Sequence, residues 1–319
     1  MNELQKLIDS AFKRATKITV KKTKKKLTYY KLLSLARMQS FADYILARLR
    51  SLLQELPVYE QLHPFYRAMI DISIGGKDKY KFLLGCISWS AKMVERFKHE
   101  YMKKVRYALE LRLVHFYRKQ FYGRVVSVLE QNADKYEKLL QLLRELKKLP
   151  EIDPNIPTFV VAGFPNVGKS TFISNVSTAK VKIAPYPFTT KTVHVGHYML
   201  DEVRRVQLVD TPGIAKKDFA RLKDIELRAY FAVRYLASAL IFIIDVSCTC
   251  GYSLEDQLEL FNKLTNEFNK NVYVIKSKID LGDAELPQLR AKKVYSANLT
   301  EKERCQEIFK DILREESIS

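Results

Sequence analysis

The chain has 319 residues and is 47% hydrophobic, enough for two domains with a core each. It holds no apolar run of about eighteen residues or more, which argues against a membrane-spanning helix. Its four cysteines (Cys86, Cys248, Cys250, Cys305) form no CxxC metal pair and are too few for a disulfide-stapled fold, so a reducing, cytoplasmic setting is expected.

The formal net charge of +19 is unevenly distributed. Residues 1–150 carry 32 Lys and Arg against 14 Asp and Glu, whereas residues 151–319 carry 23 against 22. A basic half beside a neutral one points to a polyanionic partner for the first, which RNA, DNA or an anionic membrane would satisfy. A Lys-rich surface serving solubility alone is the plainer alternative.

The chain opens on MNELQKLIDSAFKRA, an amphipathic helical pattern without the apolar core and small-residue cleavage site of a secretory signal. The tract Lys21, Lys22, Lys24, Lys25 and Lys26 is too charged to pack and is expected in a loop or a helix start. Leu32, Leu35, Leu46, Leu49, Leu53 and Leu56 follow helical spacing, Pro57, Pro64, Gly75 and Gly76 punctuate, and a longer helical pattern runs from about Tyr80 to Lys148. Gly123 and residues 132–134 are its expected interruptions. Residues 1–150 thus read as an all-α helical bundle. In its last third aromatics and cations interleave (Phe97, Lys98, Tyr101, then Arg112, Phe116, Lys119). The aromatics at helical spacing are expected mostly in the core and the cations at the surface, where they could meet phosphates.

Three prolines, Pro150, Pro154 and Pro157, mark a linker over residues 151–157. Beyond it, over 158–319, short apolar runs alternate with helical patterns, as in an α/β domain with a mostly parallel sheet and helices on both faces. Six strands are expected: 159–162, 193–200, 206–209, 240–244, 272–275 and 293–295. The second and third flank the polar turn Asp201-Glu202 and form a hairpin, and residues 301–316 form a closing helix.

The first of these strands runs into Gly163, Phe164, Pro165, Asn166, Val167, Gly168, Lys169, Ser170 and Thr171, the pattern G-x-x-x-x-G-K-[ST] in its strand–loop–helix setting. Glycines let backbone N–H groups wrap phosphates and the helix N-terminus adds partial positive charge. Lys169 is expected to reach the β- and γ-phosphates and the Ser170 hydroxyl to ligate Mg2+. An apolar strand ending in Asp210 supplies the Walker B carboxylate, also for Mg2+. Gly213, three residues on, brings its N–H to the γ-phosphate. Between these elements lies a Pro/Thr loop, residues 184–191, with Thr190 preferred over Thr189 as the switch residue that meets Mg2+ when the γ-phosphate is present. Lys169, Thr190 and Gly213 are the expected catalytic contacts. Ile214 stands where a water-orienting Gln would be needed, so unaided hydrolysis should be slow. His194 and His197 read as strand or surface histidines.

Guanine readers use N-K-x-D after the corresponding strand, and here the chain has Ser277, Lys278, Ile279, Asp280. Asp280 can accept from the guanine ring N–H and amino group, which adenine cannot match. Lys278 can cover the base. Ser277 replaces the usual Asn with a shorter side chain that has no amide to tie the loop to base and P-loop, so guanine preference is expected with looser binding. Ser296, Ala297 and Asn298 occupy the place of the loop whose N–H meets guanine O6.

These five motifs in order resemble the translation-factor-related GTPases, and the wordings GFPNVGKSTF, APYPFTTK and DTPGI resemble the Obg branch, within it the Nog family of nucleolar GTP-binding proteins and archaeal counterparts. The resemblance spans both halves, because that family carries a helical bundle before its G domain. It implies GTP and GDP with Mg2+ as ligands and a role in large ribosomal subunit assembly, with the bundle on rRNA of the pre-ribosomal particle and no membrane partner. The sequence stops just past its G-domain motifs and so resembles the compact, archaeal type. By the same resemblance Asn166 could help hold a K+ ion that assists hydrolysis, or merely satisfy the loop backbone. The competing readings are a nucleotide-gated RNA-binding scaffold with negligible hydrolysis and, more remotely, a membrane-surface GTPase or a P-loop kinase.

Overall fold

The computed structural model describes residues 3–148, 153, 155–185, 192–210, 235–267, 270–282 and 284–318. They divide into two compact units, residues 1–61 with 74–144, and residues 62–73 with 145–319. None of the described helices is long and apolar enough to cross a membrane.

The first unit is helical: α1 (Glu3–Thr16), α2 (Lys26–Glu55), α4 (Lys77–Tyr107), α5 (Leu111–Gln131) and most of α6 (Ala133–Lys148). Each buries an apolar stripe spaced three to four residues apart, such as Leu4, Leu7, Ile8 and Ala11 in α1 and Val94, Phe97, Tyr101 and Val105 in α4. Aromatic edges meet at the centre. Phe41 lies 4.5 Å from Phe12 and 6.1 Å from Phe121, and Tyr101 lies 6.3 Å from Phe121. Two of the buried polar side chains pair with each other: Asn132 Nδ2 donates to Ser90 Oγ at 3.0 Å and Ser90 Oγ donates to Cys86 O.

The Lys tract lies in the exposed link between α1 and α2, as its charge implied, and Gly75 and Gly76 break the chain with positive φ. The long pattern after residue 80 divides differently from the expectation. Gly123 sits inside α5 without interrupting it, because Phe121 and Val125 on either side are fully buried and hold that turn. The other expected interruption, at residues 132–134, is present, with Asn132 between α5 and α6, and a further break comes at residues 108–110, where Ala108 adopts ψ 130 and its N–H returns to Val105 O. With neither Gly nor Pro there, the sequence offered no punctuation.

The second unit is built on a seven-stranded sheet in the order β2-β3-β4-β1-β5-β6-β7. Its strands are β1 (Thr158–Ala162), β2 (Lys182–Pro185), β3 (Thr192–Met199), β4 (Arg205–Asp210), β5 (Ala237–Asp245), β6 (Asn271–Ser277) and β7 (Lys293–Ser296). The expected β3–β4 hairpin is present, and β4, β1, β5, β6 and β7 run parallel. The seventh strand was not expected. Lys182–Pro185 has no apolar pattern of its own and is held by antiparallel pairing to β3 at the sheet edge, where a proline is tolerated.

Among the described residues this unit has three helices after the linker, of which α7 (Lys169–Val176) after the P-loop and the closing α9 (Lys302–Glu315) were expected and α8 (Leu254–Glu267) was not singled out. Phe309 of α9 packs 5.1 Å from Phe159, while Phe261 of α8 packs 5.3 Å from Phe242. In the β1–β5 register Phe159 and Phe242 fall on alternate residues and so on opposite sheet faces, which places helices on both. The strand order changes direction at β1, the position where open α/β sheets bind ligands beyond the strands' carboxyl ends.

The helix α3 (Pro64–Ile74), from the N-terminal half, supplies Phe65 and Met69 to the core of this second unit, at 0% and 1% exposure. The division of the chain is therefore not a single cut near the proline-rich linker. Phe65→Ala is expected to destabilise the sheet unit by about 3–5 kcal/mol through lost burial and a residual cavity. Hydrogen exchange would read this as faster exchange in β1, β5 and β6. Acceleration confined to α1, α2 and α4 would refute the assignment.

Candidate nucleotide-binding site

The buried strand β1 ends in a loop whose shape is set by three left-handed residues, Gly163 at φ 144, Asn166 at φ 62 and Gly168 at φ 104. Such alternation curls successive backbone N–H groups toward one side, a concavity suited to anions. Gly163 is required twice over. A Cβ there would stand 2.5 Å from the carbonyl oxygen of Ile243 in β5. Gly168 lies against Leu299, whose Cδ1 would be 2.9 Å from an added Cβ. Pro165 is half-buried, Val167 points into the core, Asn166 and Thr171 are exposed, and the Asn166 side chain makes no hydrogen bond among the described residues.

Lys169 opens α7 and is 7% exposed, with Nζ donating to Phe164 O at 2.7 Å. Burial pushes its pKa down, and the nearby Asp210 carboxylate opposes that shift. Asp210, at the end of β4, is 5% exposed. Its Oδ2 accepts from Ser170 Oγ at 3.3 Å, and its Oδ1 is buried with no partner among the described residues. A hydroxyl beside a carboxylate with one unpaired buried oxygen is a donor set of the kind a hard divalent cation takes.

His194 joins this cluster, contrary to its reading as an ordinary strand histidine. Its Nδ1 lies 3.2 Å from Asp210 Oδ2 and 3.3 Å from Ser170 Oγ. The hydrogen bond to Asp210 raises its pKa against the effect of burial. The hairpin register explains the placement. Val195 pairs with Val209, so one residue further His194 stands across from Asp210. The polar turn at Asp201-Glu202 carried that information, but only once the strand ends were known.

On the other side of the loop, Ser277 at the end of β6 is fully buried. Its hydroxyl lies 2.8 Å from Val167 O and 3.2 Å from Ile244 O, so it ties β6 to the P-loop without an amide. The expected loss of that tie does not occur. Lys278 follows at φ 56, with Nζ donating to Asp245 Oδ2 at 2.8 Å and Thr249 Oγ1 at 2.9 Å.

Asp245 was not singled out from the sequence. It is fully buried and accepts from Ser247 N, Ser247 Oγ and Cys250 N as well as Lys278. Burial pushes its pKa up, but these hydrogen bonds outweigh that and hold the carboxyl below its usual range. Gln257 brackets its backbone, accepting from Asp245 N at 2.8 Å and donating to Asp245 O at 3.0 Å. The available signal was the apolar run of β5 closing on Asp245, which repeats the pattern of β4 closing on Asp210.

Asp280 is exposed and free of hydrogen bonds and ion pairs among the described residues. Ser296 is exposed. The Ala297 N–H already donates to Lys276 O at 3.0 Å, and Asn298 Oδ1 accepts from Thr300 N and Oγ1. Thr190, Gly213 and Ile214, with residues 186–191 and 211–217, lie outside the described residues.

Residues 2–153 match the NOG1 N-terminal helical domain, and residues 158–278 match the 50S ribosome-binding GTPase family. An uncharacterised protein of Methanocaldococcus jannaschii is 36% identical over 249 residues, covering 78% of this chain and 69% of that one. Nucleolar GTP-binding protein 1 of Caenorhabditis elegans is 36% identical over 247 residues, covering 76% of this chain, which spans only 36% of that relative's length. A crystal structure of nucleolar GTP-binding protein 1 from Plasmodium falciparum is 27% identical, covers 53% of this chain and 92% of that chain, and has a TM-score of 0.44.

Gly163→Ala is expected to be more damaging than Gly168→Ala. The first Cβ meets backbone, and the second meets the far end of a leucine side chain. Each also bears a left-handed strain of about 1–3 kcal/mol. Thermal melting of the two variants checks the order, and equal losses would contradict the close approach to Ile243.

Proposed function

The chain belongs to the NOG1 family of GTP-binding proteins, and on that premise we propose that it is a guanine-nucleotide switch that hydrolyses GTP slowly and serves large ribosomal subunit assembly by binding rRNA. The observation that carries the nucleotide part is one convergence. The left-handed P-loop, Lys169, Ser170 and an Asp210 oxygen gather beyond β1, flanked by the loop after β6 with Asp280, and among the described residues that oxygen and Asp280 are unpaired. Phosphates fit the curled loop and Lys169, and guanine fits the open carboxylate of Asp280.

Mg2+ is the cation this donor set suits, with Ser170 and Asp210 holding it and Thr190 joining when GTP is bound. When bound it would neutralise phosphate charge. His194 keeps one oxygen of Asp210 engaged and so helps orient that carboxylate. Lys169, held in a buried setting, directs its charge to the β- and γ-phosphates. Gly213 would bring its N–H to the γ-phosphate. With Ile214 in place of a water-orienting side chain, turnover depends on outside help, from K+ near the exposed Asn166 or from the pre-ribosomal particle.

The division of labour we propose follows the charge. The basic bundle within residues 1–150 docks on rRNA, residues 151–157 connect, and residues 158–319 read the nucleotide in the cytoplasm. The second reading, an RNA-binding scaffold with negligible hydrolysis, draws on Ile214 alone.

Four outcomes are expected. In competition for a labelled guanine nucleotide, GTP and GDP displace it and ATP does not. Asp280→Asn weakens GTP by about tenfold or more, since charge-assisted hydrogen bonds contribute about 1.5–3 kcal/mol, and improves XTP, whose C2 carbonyl accepts from the new amide. No guanine preference in the unaltered chain would refute the site. Large-subunit particles should raise GTP turnover measured by phosphate release, and an unmeasurable rate with particles and K+ would favour the scaffold. Affinity of the whole chain for large-subunit rRNA should fall by about 10³-fold or more between 50 and 200 mM salt, as for six or more phosphate contacts. A flat salt profile would exclude the polyanion reading. Cutting the chain at residue 150 is not a clean test, because α3 would leave the core that Phe65 and Met69 help fill.

A further inference from the structure

One end of the helical unit brings three helix termini together. Lys31 Nζ donates to Arg106 O at 2.9 Å, joining the first turns of α2 to the last turn of α4. Tyr30 stacks edgewise on His115 at 5.7 Å, joining α2 to the start of α5. The segments that meet here, residues 21–31 and 103–119, carry twelve Lys and Arg and a single acid, Glu110. Among the described residues Lys103, Arg106, Arg112 and Lys119 are exposed and without an acidic partner.

Two features of this end have no explanation in the fold. The first is its aromatics. The buried stripe of α4 is Phe97, Tyr101 and Val105, and that of α5 is Val114, Phe121 and Val125. Tyr107 and Phe116 lie off those stripes and are 68% and 53% exposed. The second is the placement of charge. The helix α2 has no acid at its N-terminus, where Lys25 and Lys26 stand, and in α5 Arg112 follows the N-cap Glu110 into a first turn that holds no acid. A helix N-terminus favours anions, so cations there oppose the folding preference. Planar groups that leave the core and cations that crowd against a dipole both make sense if a polyanion with open bases sits between them.

We propose that the α4–α5 end of the bundle is a binding face for unpaired RNA, with Tyr107 and Phe116 stacking on bases and the surrounding Lys and Arg on phosphates. This rests on the RNA-binding reading above and specifies the face and the kind of RNA. A duplex offers this face only phosphates, because its bases are stacked inside, whereas a loop or strand offers both. An anionic membrane calls for a continuous apolar face flanked by charge. Here the exposed Tyr107, Leu109 and Phe116 are interleaved in the sequence with Arg106, Glu110 and Arg112.

The test uses the whole chain, a labelled single strand of about twelve nucleotides, a hairpin duplex of the same composition, and anionic vesicles. Tyr107→Ala with Phe116→Ala should weaken the single strand about tenfold or more, leave the duplex and the salt slope unchanged, and regain affinity as Tyr107→Trp with Phe116→Trp. Arg106→Gln with Arg112→Gln and Lys119→Gln should weaken strand and duplex alike and reduce the single-strand salt slope by about 2. Melting temperature and guanine-nucleotide affinity report that the variants fold. If the alanine pair binds the single strand within about twofold of the unaltered chain, the stacking face is refuted even though the chain binds RNA. Loss of vesicle binding with RNA affinity intact would assign the face to a membrane. If the unaltered chain binds neither RNA, both this inference and the reading beneath it fall.

Discussion

The close approach of Gly163 to Ile243 is the constraint on which the rest of the nucleotide site depends. The chain leaving β1 must turn directly against the backbone of β5, within 2.5 Å of where a side chain would begin. Only a glycine permits that turn, and the turn lets Lys169 open a helix at the sheet's carboxyl edge. From there the two neighbouring strands deliver their last residues to the same loop. Asp210 ends β4, which pairs with β1 on one side, and Asp245 ends β5 on the other. Each carboxylate is buried and each has a cation or hydroxyl beside it, Ser170 for Asp210 and Lys278 for Asp245.

The replacement of the usual Asn by Ser277 belongs to the same scheme. A shorter side chain still reaches the carbonyl of Val167 because β6 enters the loop fully buried and close to the P-loop. What the hydroxyl lacks is reach toward a base. The loop after β6 has two charged members, Lys278 held by Asp245 and Asp280 with no hydrogen bond or ion pair among the described residues. Base recognition by this chain would therefore lean on Asp280, with the P-loop tie preserved by a different chemical group.

In the helical unit the core and the charge occupy different faces of the same helices. Stripes at helical spacing bury Phe41, Phe97, Tyr101 and Phe121, and cations take what remains. Tyr107 and Phe116 lie off those stripes and stand at the end of the unit where the cations gather.

The sequence by itself determined the two classes of structure, six of the seven described strands, the P-loop with its Asp210 partner and the location of the positive charge. Those follow from periods of two and 3.6 residues, from glycines that permit positive φ, and from counts, all of which are local. Tertiary structure decided what local pattern does not encode. Strand β2 exists because β3 offers it an edge, and His194 reaches Asp210 because the hairpin register sets it there. Gly123 remains helical because its neighbours on both sides are buried. The helix α3 serves the sheet unit because Phe65 and Met69 fill that core, although it precedes the proline-rich linker in the chain. A pattern states which face must be covered, and only long-range packing selects what covers it.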